Sequence, residues 1–308
     1  MGKNSHFFYL LAIFVGITVS FIIGISFSMA MDEEESEPQQ QTASNEGTSG
    51  QNGGEIEYNP PSLDDVPDGP IGEEIKYGHQ VINETNTVLD GYVGNNLTCS
   101  SCHGDAGLDK TSSFVGVSTQ FPQYRPREGV IFTLEDRING CMTRSMNGEK
   151  IPYDSKEMRA MISYLTYISQ GIPEGADLEW RMLNTMKDVP EPNVANGEEI
   201  YKQSCIACHA ADGSGTGPNT GPAVWGPDSF NEGAGMARMT KMAGYVKRNM
   251  PKGQEGTLTD QEAADVSAYL LSHERPEKPG KENDWPKGGA PKDVPYYDEL
   301  KSVQEGLE

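Results

Sequence analysis

Two C-x-x-C-H motifs, Cys99-Ser100-Ser101-Cys102-His103 and Cys205-Ile206-Ala207-Cys208-His209, take up four of the five cysteines in this 308-residue chain. The pattern attaches c-type haem: two thiols add to the porphyrin vinyls, and the adjacent histidine binds iron from the proximal side. Its spacing lets one turn reach neighbouring vinyls while presenting the imidazole. Zinc or a disulfide could use the same cysteine pair. Neither accounts as well for two copies, each followed by a histidine and, further on, by a methionine, Met146 or Met250. Two covalently bound haem c groups are expected.

The two halves form a repeat. The motifs are offset by 106 residues, while Gly140/Gly244, Arg144/Arg248, Met146/Met250 and Ser155/Thr259 share an offset of 104. In the second half, the order Gly197, Tyr201, Cys205-Cys208-His209, TGPN at 216–219, Asn249-Met250-Pro251 and Tyr269 resembles the class I cytochromes c over roughly residues 194–273. That resemblance implies a mainly α fold of two tandem class I cytochrome c-like domains. It also implies that Gly197 lets the terminal helices cross closely and that the Pro218 carbonyl accepts the His209 N–H. Met250 would be the distal ligand, and a His/Met pair raises the reduction potential. Glycines at 213, 215 and 217 lack the Lys-Ser/Thr of a phosphate loop and read as loop residues.

Charge separates the folded part from its appendages. The formal charge is −22, yet residues 32–74 carry 13 acidic and no basic side chains. This polar, aromatic-poor stretch cannot bury enough apolar surface to order itself, so residues 32–70 read as a disordered acidic tether. The acidity argues against nucleic acid as a partner. Residues 7–31 carry no charge over 25 positions, enough for a membrane-spanning helix, so residues 1–31 read as a single-pass anchor. Ser28-Met29-Ala30 keeps a cleaved signal open as the alternative. Lys3 before the apolar run and the acidic stretch after it place the bulk of the chain on the extracytoplasmic side of the cell membrane.

Apolar spacing predicts helices near 71–86 and 155–169, and a capping box at Thr259-Asp260-Gln261-Glu262 opens a last helix. The domains follow as 71–172 and 194–275, joined by a linker over 173–193. Residues 276–308, rich in Pro, Gly and Lys, read as an extended tail laid over them.

The fifth cysteine, Cys141, lies in LEDRINGCMTRSMNGEKIP, residues 134–152. By the repeat, Met146 occupies the slot of Met250, while Cys141 stands where the second half has Tyr245. Either Met146 is the distal ligand of haem 1, or Cys141 is, as an anionic thiolate that lowers the potential and doubles as a nucleophile. Of nine arginines, Arg125, Arg127, Arg137 and Arg144 cluster here. Guanidinium groups bind oxyanions through paired N–H bonds and keep their charge when desolvated. Arg144, repeated as Arg248, is the one expected to serve structure.

From GNNLTCSSCH through FPQYRPREG, LEDRINGCMTRSMNG and YDSKEM to DWPKGGAPKDVPYY, the chain resembles the thiosulfate dehydrogenases. These are dihaem c-type cytochromes that interconvert thiosulfate and tetrathionate. The similarity covers about residues 70–300 and is strongest over 94–172. It implies that Cys141 is the catalytic thiol and distal ligand of haem 1, with Arg127 and Arg137 binding substrate. Electrons would pass from haem 1 to haem 2 and on to an external acceptor such as a cytochrome c or a terminal oxidase. Some relatives place lysine before the second methionine. Here Asn249 stands there, which excludes that ligand. A tethered electron carrier without its own substrate, and the same enzyme running as a tetrathionate reductase, remain alternatives at this level.

Overall fold

A computed structural model describes residues 56–182 and 184–305. The expected anchor and most of the tether lie outside them. Among the described residues no helix is long and apolar enough to cross a membrane.

Each half is built on two helices that cross at a glycine. In the first, α1 (Pro70–Asn83) opens on a proline, whose fixed φ suits the first helical position. Ile75, Gly78, Val81 and Ile82 are buried, whereas Ile71 is 55% exposed. Gly78 is where the helix meets α3 (Lys156–Tyr167). A Cβ there would stand 2.0 Å from the Ala160 carbonyl oxygen. Ser155 caps α3 by accepting from the Met158 N–H, and Met158, Met161, Leu165 and Ile168 are buried. The expected continuation of α1 to residue 86 breaks because Thr85 Oγ donates to the Ile82 carbonyl (2.9 Å) and accepts from the Cys99 N–H (3.1 Å). The break falls at Glu84, and Thr85, the first residue of a short helix Thr85–Val88, is tied to the first haem motif.

Between these helices lie an antiparallel hairpin, β1 (Gln123–Arg125) with β2 (Val130–Phe132), and α2 (Leu134–Arg144). Thr133 and Asp136 form the reciprocal box that starts α2.

The second half repeats the plan with α4 (Val194–Ser204), α5 (Met239–Asn249) and α6 (Asp260–Leu271). Gly197 sits 2.0 Å, by its missing Cβ, from the Asp265 carbonyl oxygen on α6, and Thr259 and Glu262 form the expected capping box. One continuous core of buried side chains runs through both halves, from Val66 to Leu270.

The appendages are less passive than their composition predicts. The tether is packed from Ile56 on: Tyr58 donates to the Leu108 carbonyl (2.6 Å), shares a hydrogen bond with Ser113 (2.9 Å), and meets Trp180 edge-on at 5.1 Å. Trp180 itself comes from the linker and donates Nε1–H to the Val115 carbonyl at 3.0 Å. The tail is not simply extended. It contains α7 (Tyr297–Glu305) and a small core of its own formed by Trp285, Val294, Tyr296 and Leu300. Four aromatic and aliphatic side chains suffice for this because the tail folds against a domain instead of standing alone.

Candidate active site

The first haem motif is held from both sides. Thr98 and Ser101 cap each other around the turn at Cys99–Ser101, and Thr85 Oγ also lies 3.3 Å from Cys99 Sγ. His103 Nδ1–H donates to the Ser112 carbonyl at 2.5 Å, and the ring stacks on Phe114 at 4.0 Å. Burial pushes His103 down to about 4, so the imidazole is neutral at physiological pH, with Nε2 free to donate its lone pair. Burial also pushes Cys99 up to about 12 and Cys102 up to about 11. None of the five cysteines forms a disulfide.

On α2, Arg137 and Cys141 are one turn apart and share a face, and Arg137 Nη1–H donates to Cys141 Sγ at 2.7 Å. The Cys141 charge, with this bond, holds the Arg137 guanidinium above its ordinary value despite burial. Cys141, Arg137, His103 and Cys99 line one cavity of about 230 Å³ together with Met161 and Arg181. Met146 is buried outside this lining, where its carbonyl accepts from the Gly94 N–H at 3.0 Å. A neutral imidazole, the Cys99 thiol and the Cys141 thiol on one cavity, with the free Cys102 thiol one turn from Cys99, fit a haem c.

The four clustered arginines have different partners. Arg144 forks onto both oxygens of Asp284 (2.8 and 2.8 Å) and reaches Glu128 at 3.2 Å. Tyr296 adds a 2.6 Å hydrogen bond to the same Asp284 carboxylate. Arg144 is thus structural. Arg127 donates to the Gly233 carbonyl at 2.7 Å, lies over the Trp285 ring at 4.5 Å, and approaches Asp284 at 4.0 Å. Its own carbonyl accepts from the Trp285 N–H at 2.6 Å. Arg137 is on the thiol. For Arg125 the hydrogen bond is a long one, 3.4 Å, to its neighbour Gln123.

Arg181 and Asn184 belong to the linker and carry no motif. Arg181 lines the haem 1 cavity, donates to the Ser113 carbonyl at 3.0 Å, and is pushed down to about 10 by burial and then by the Arg137 charge. Asn184 donates to Ser112 Oγ and accepts from Asn249 Nδ2 at 3.0 Å. A chain of side chains therefore runs from the residue that holds His103 to the residue before Met250.

In the second half, His209 Nδ1–H donates to the Pro222 carbonyl at 2.8 Å, not to Pro218 as expected. The sequence holds two Gly-Pro pairs in close succession. An antiparallel bridge between Gly217 and Gly221 folds the first outward and returns the second to the histidine. The Pro218 carbonyl instead accepts from Ser101 Oγ of the first motif at 2.7 Å. Met250 caps α5 at its C-terminal end and packs on the core. Tyr245, in the slot of Cys141, is buried and donates to the Cys102 carbonyl at 3.3 Å. The position that bears a thiol in one half thus locks the halves together in the other.

Two helical units, each crossing its terminal helices at a glycine and each presenting C-x-x-C-H with a buried, backbone-held histidine, define a protein with two cytochrome c domains. Family models agree: "SoxA/TsdA, cytochrome c domain" matches residues 92–173 and "Cytochrome c" matches 194–274. The chain is 42% identical to a thiosulfate dehydrogenase of Allochromatium vinosum over 68% of this chain and 82% of the relative. It is 40% identical to that of Psychrobacter arcticus over 76% and 73%. A solved thiosulfate dehydrogenase (TsdBA) of Marichromatium purpuratum superposes with a TM-score of 0.68 at 33% identity, covering 72% of this chain. This chain spans half the length of that one. The chain belongs to the thiosulfate dehydrogenase family.

Proposed function

We propose that the protein oxidises two thiosulfate ions to tetrathionate, with Cys141 as the reacting group. The observation that carries this reading is the 2.7 Å hydrogen bond from Arg137 to Cys141 Sγ inside the cavity that His103 also lines. A cationic donor hydrogen-bonded to the sulfur fixes the position of the nucleophile in the cavity. The same donor faces the negative charge that a thiosulfate brings to the thiol.

In the first step, the Cys141 thiolate and the outer sulfur of one thiosulfate form an S–S bond and release two electrons, leaving a Cys141 S-thiosulfonate. A second thiosulfate then attacks the sulfur carried by Cys141, its own outer sulfur forming the new S–S bond. The bond to Cys141 breaks, the thiolate is restored, and tetrathionate leaves. Cys99, Cys102 and His103, and Cys205, Cys208 and His209, would hold two haem c groups, which would supply one-electron acceptors for the pair. On this reading Cys141 and Met250 would complete the two haem sites, and an external carrier would take up the electrons from the second domain. Arg137 and Arg127 bind the anions. The charge-free run at 7–31 supports an exported, membrane-anchored protein with both domains outside the cytoplasm.

Cys141→Ser tests the reading: both haems should load and show their absorption bands, while thiosulfate-dependent reduction falls to background. Turnover in that variant would end it.

A further inference from the structure

Three of the four clustered arginines have identified work, which leaves Arg125. Arg144 is neutralised by Asp284 and Glu128, Arg127 is fastened to Gly233 and Trp285, and Arg137 is on the thiol. Arg125 has no carboxylate partner among the described residues, and its hydrogen bond to Gln123 is at the limit of the range.

Its place in the fold directs it toward the site. Along β1 burial alternates, so Tyr124 points outward and is 45% exposed while Arg125 points inward. Arg125 pairs with Val130 at the turn end of the hairpin, where its carbonyl accepts from the Gly129 N–H at 2.8 Å, and it shares a face with Gln123 and Phe132. The other strand runs through Phe132, whose ring lies 3.7 Å from where a Gly140 Cβ would be, directly into α2 and its Arg137 and Cys141. The inner face of the hairpin therefore looks onto the thiol-bearing helix. The electrostatics agree with this placement. Burial, and then the Arg137 charge, hold Arg125 below the usual guanidinium range, while the Glu128 and Cys141 charges oppose them. A half-buried guanidinium without a counter-ion is costly and is relieved by an anion that arrives from outside.

We infer that Arg125 is the seat for the sulfonate remote from Cys141, gripping the far end of tetrathionate or the second incoming thiosulfate. The ligand class follows from the geometry of the fork: a tetrahedral sulfonate offers paired oxygens to a guanidinium. Tetrathionate carries one charge at each end; Arg137 serves the end at the thiol, and Arg127, held by Gly233, Trp285 and Asp284, adds positive charge but has no free fork for the other end. Lys241 of α5, which has no ion pair among the described residues and also feels the Arg125 charge, extends the positive field toward the second domain. This inference rests on the proposed reaction.

The test uses the haem-loaded full chain. Binding of tetrathionate is measured calorimetrically in Cys141→Ser, which cannot turn over, with and without Arg125→Gln or Arg125→Lys. Arg125→Gln should weaken binding at least about tenfold, and Arg125→Lys should restore part of it. With Cys141 intact, Arg125→Gln should raise KM for thiosulfate by a similar factor, leave the haem absorption bands where they were, and leave the melting temperature no lower than that of the wild type. An unchanged binding constant in Arg125→Gln, with Cys141→Ser itself binding tetrathionate, overturns the Arg125 seat alone. A Cys141→Ser protein that binds no tetrathionate, beside a wild type that does not oxidise thiosulfate, overturns the seat and the proposed reaction together.

Discussion

At the scale of single residues, the charge of the site is sorted before any anion enters. Asp284 takes up the Arg144 fork and stands beside Arg127, so two of four clustered cations are fixed by one carboxylate. Asp284→Asn should cost about 3–5 kcal/mol, read as a shift in the urea midpoint, because it leaves a buried guanidinium with half its pairing. Tyr296→Phe removes only the 2.6 Å hydrogen bond to the same carboxylate and should cost about 1 kcal/mol by the same measurement. The two C-x-x-C-H motifs and the clustering of arginines around Cys141 were legible as patterns because they lie in short spacings. Asp284 was not, since 140 residues separate it from Arg144. Arg181 was hidden for a related reason: it lies in a segment whose composition reads as a connector. Pro218 was mistaken for Pro222 because two equivalent dipeptides compete, and only the glycine bridge between them decides which one returns to the histidine.

At the scale of elements, the two glycine crossings set how near each pair of helices can come. Gly78→Ala would drive a methyl into the Ala160 carbonyl, 2.0 Å away, with Tyr164 Cβ at 2.8 Å on the other side. Separation of α1 from α3 should cost about 1–3 kcal/mol or more, measured as a lowered denaturation midpoint of the haem-loaded protein. Gly197 was legible from its fixed distance to the second motif. Its counterpart was not, because a longer stretch, with its own turn at Thr85–Val88, separates Gly78 from Cys99 and breaks the repeat offset. The helix at 155–169 and the capping box at Thr259 were readable from local patterns alone. The start of order at Ile56 was not, since it depends on Trp180 supplying an edge for Tyr58.

At the scale of the whole molecule, the domains are bound around their haem motifs, along α2, where Asn231 donates to the Thr143 carbonyl, and beside it, where Arg127 donates to the Gly233 carbonyl. Ser101 meets Pro218, Cys102 meets Tyr245, and Asn184 joins Ser112 to Asn249. The tail then ties the second domain to the arginines of the first, with Asp293 held by Arg238 and Thr240 while Asp284 holds Arg144. A chain ending at residue 275 should keep both haem absorption bands. Its kcat/KM for thiosulfate should be about 10²-fold lower, because Arg127 loses the Trp285 and Asp284 contacts that aim it.

That dependence has a consequence for how the molecule comes into being. Asp284 is synthesised 140 residues after Arg144, behind the whole of the second domain. A nascent first domain can hold its haem motif in place while Arg127 and Arg144 still lack their carboxylate. The arginine network of the first domain is therefore closed only after the second domain has been made.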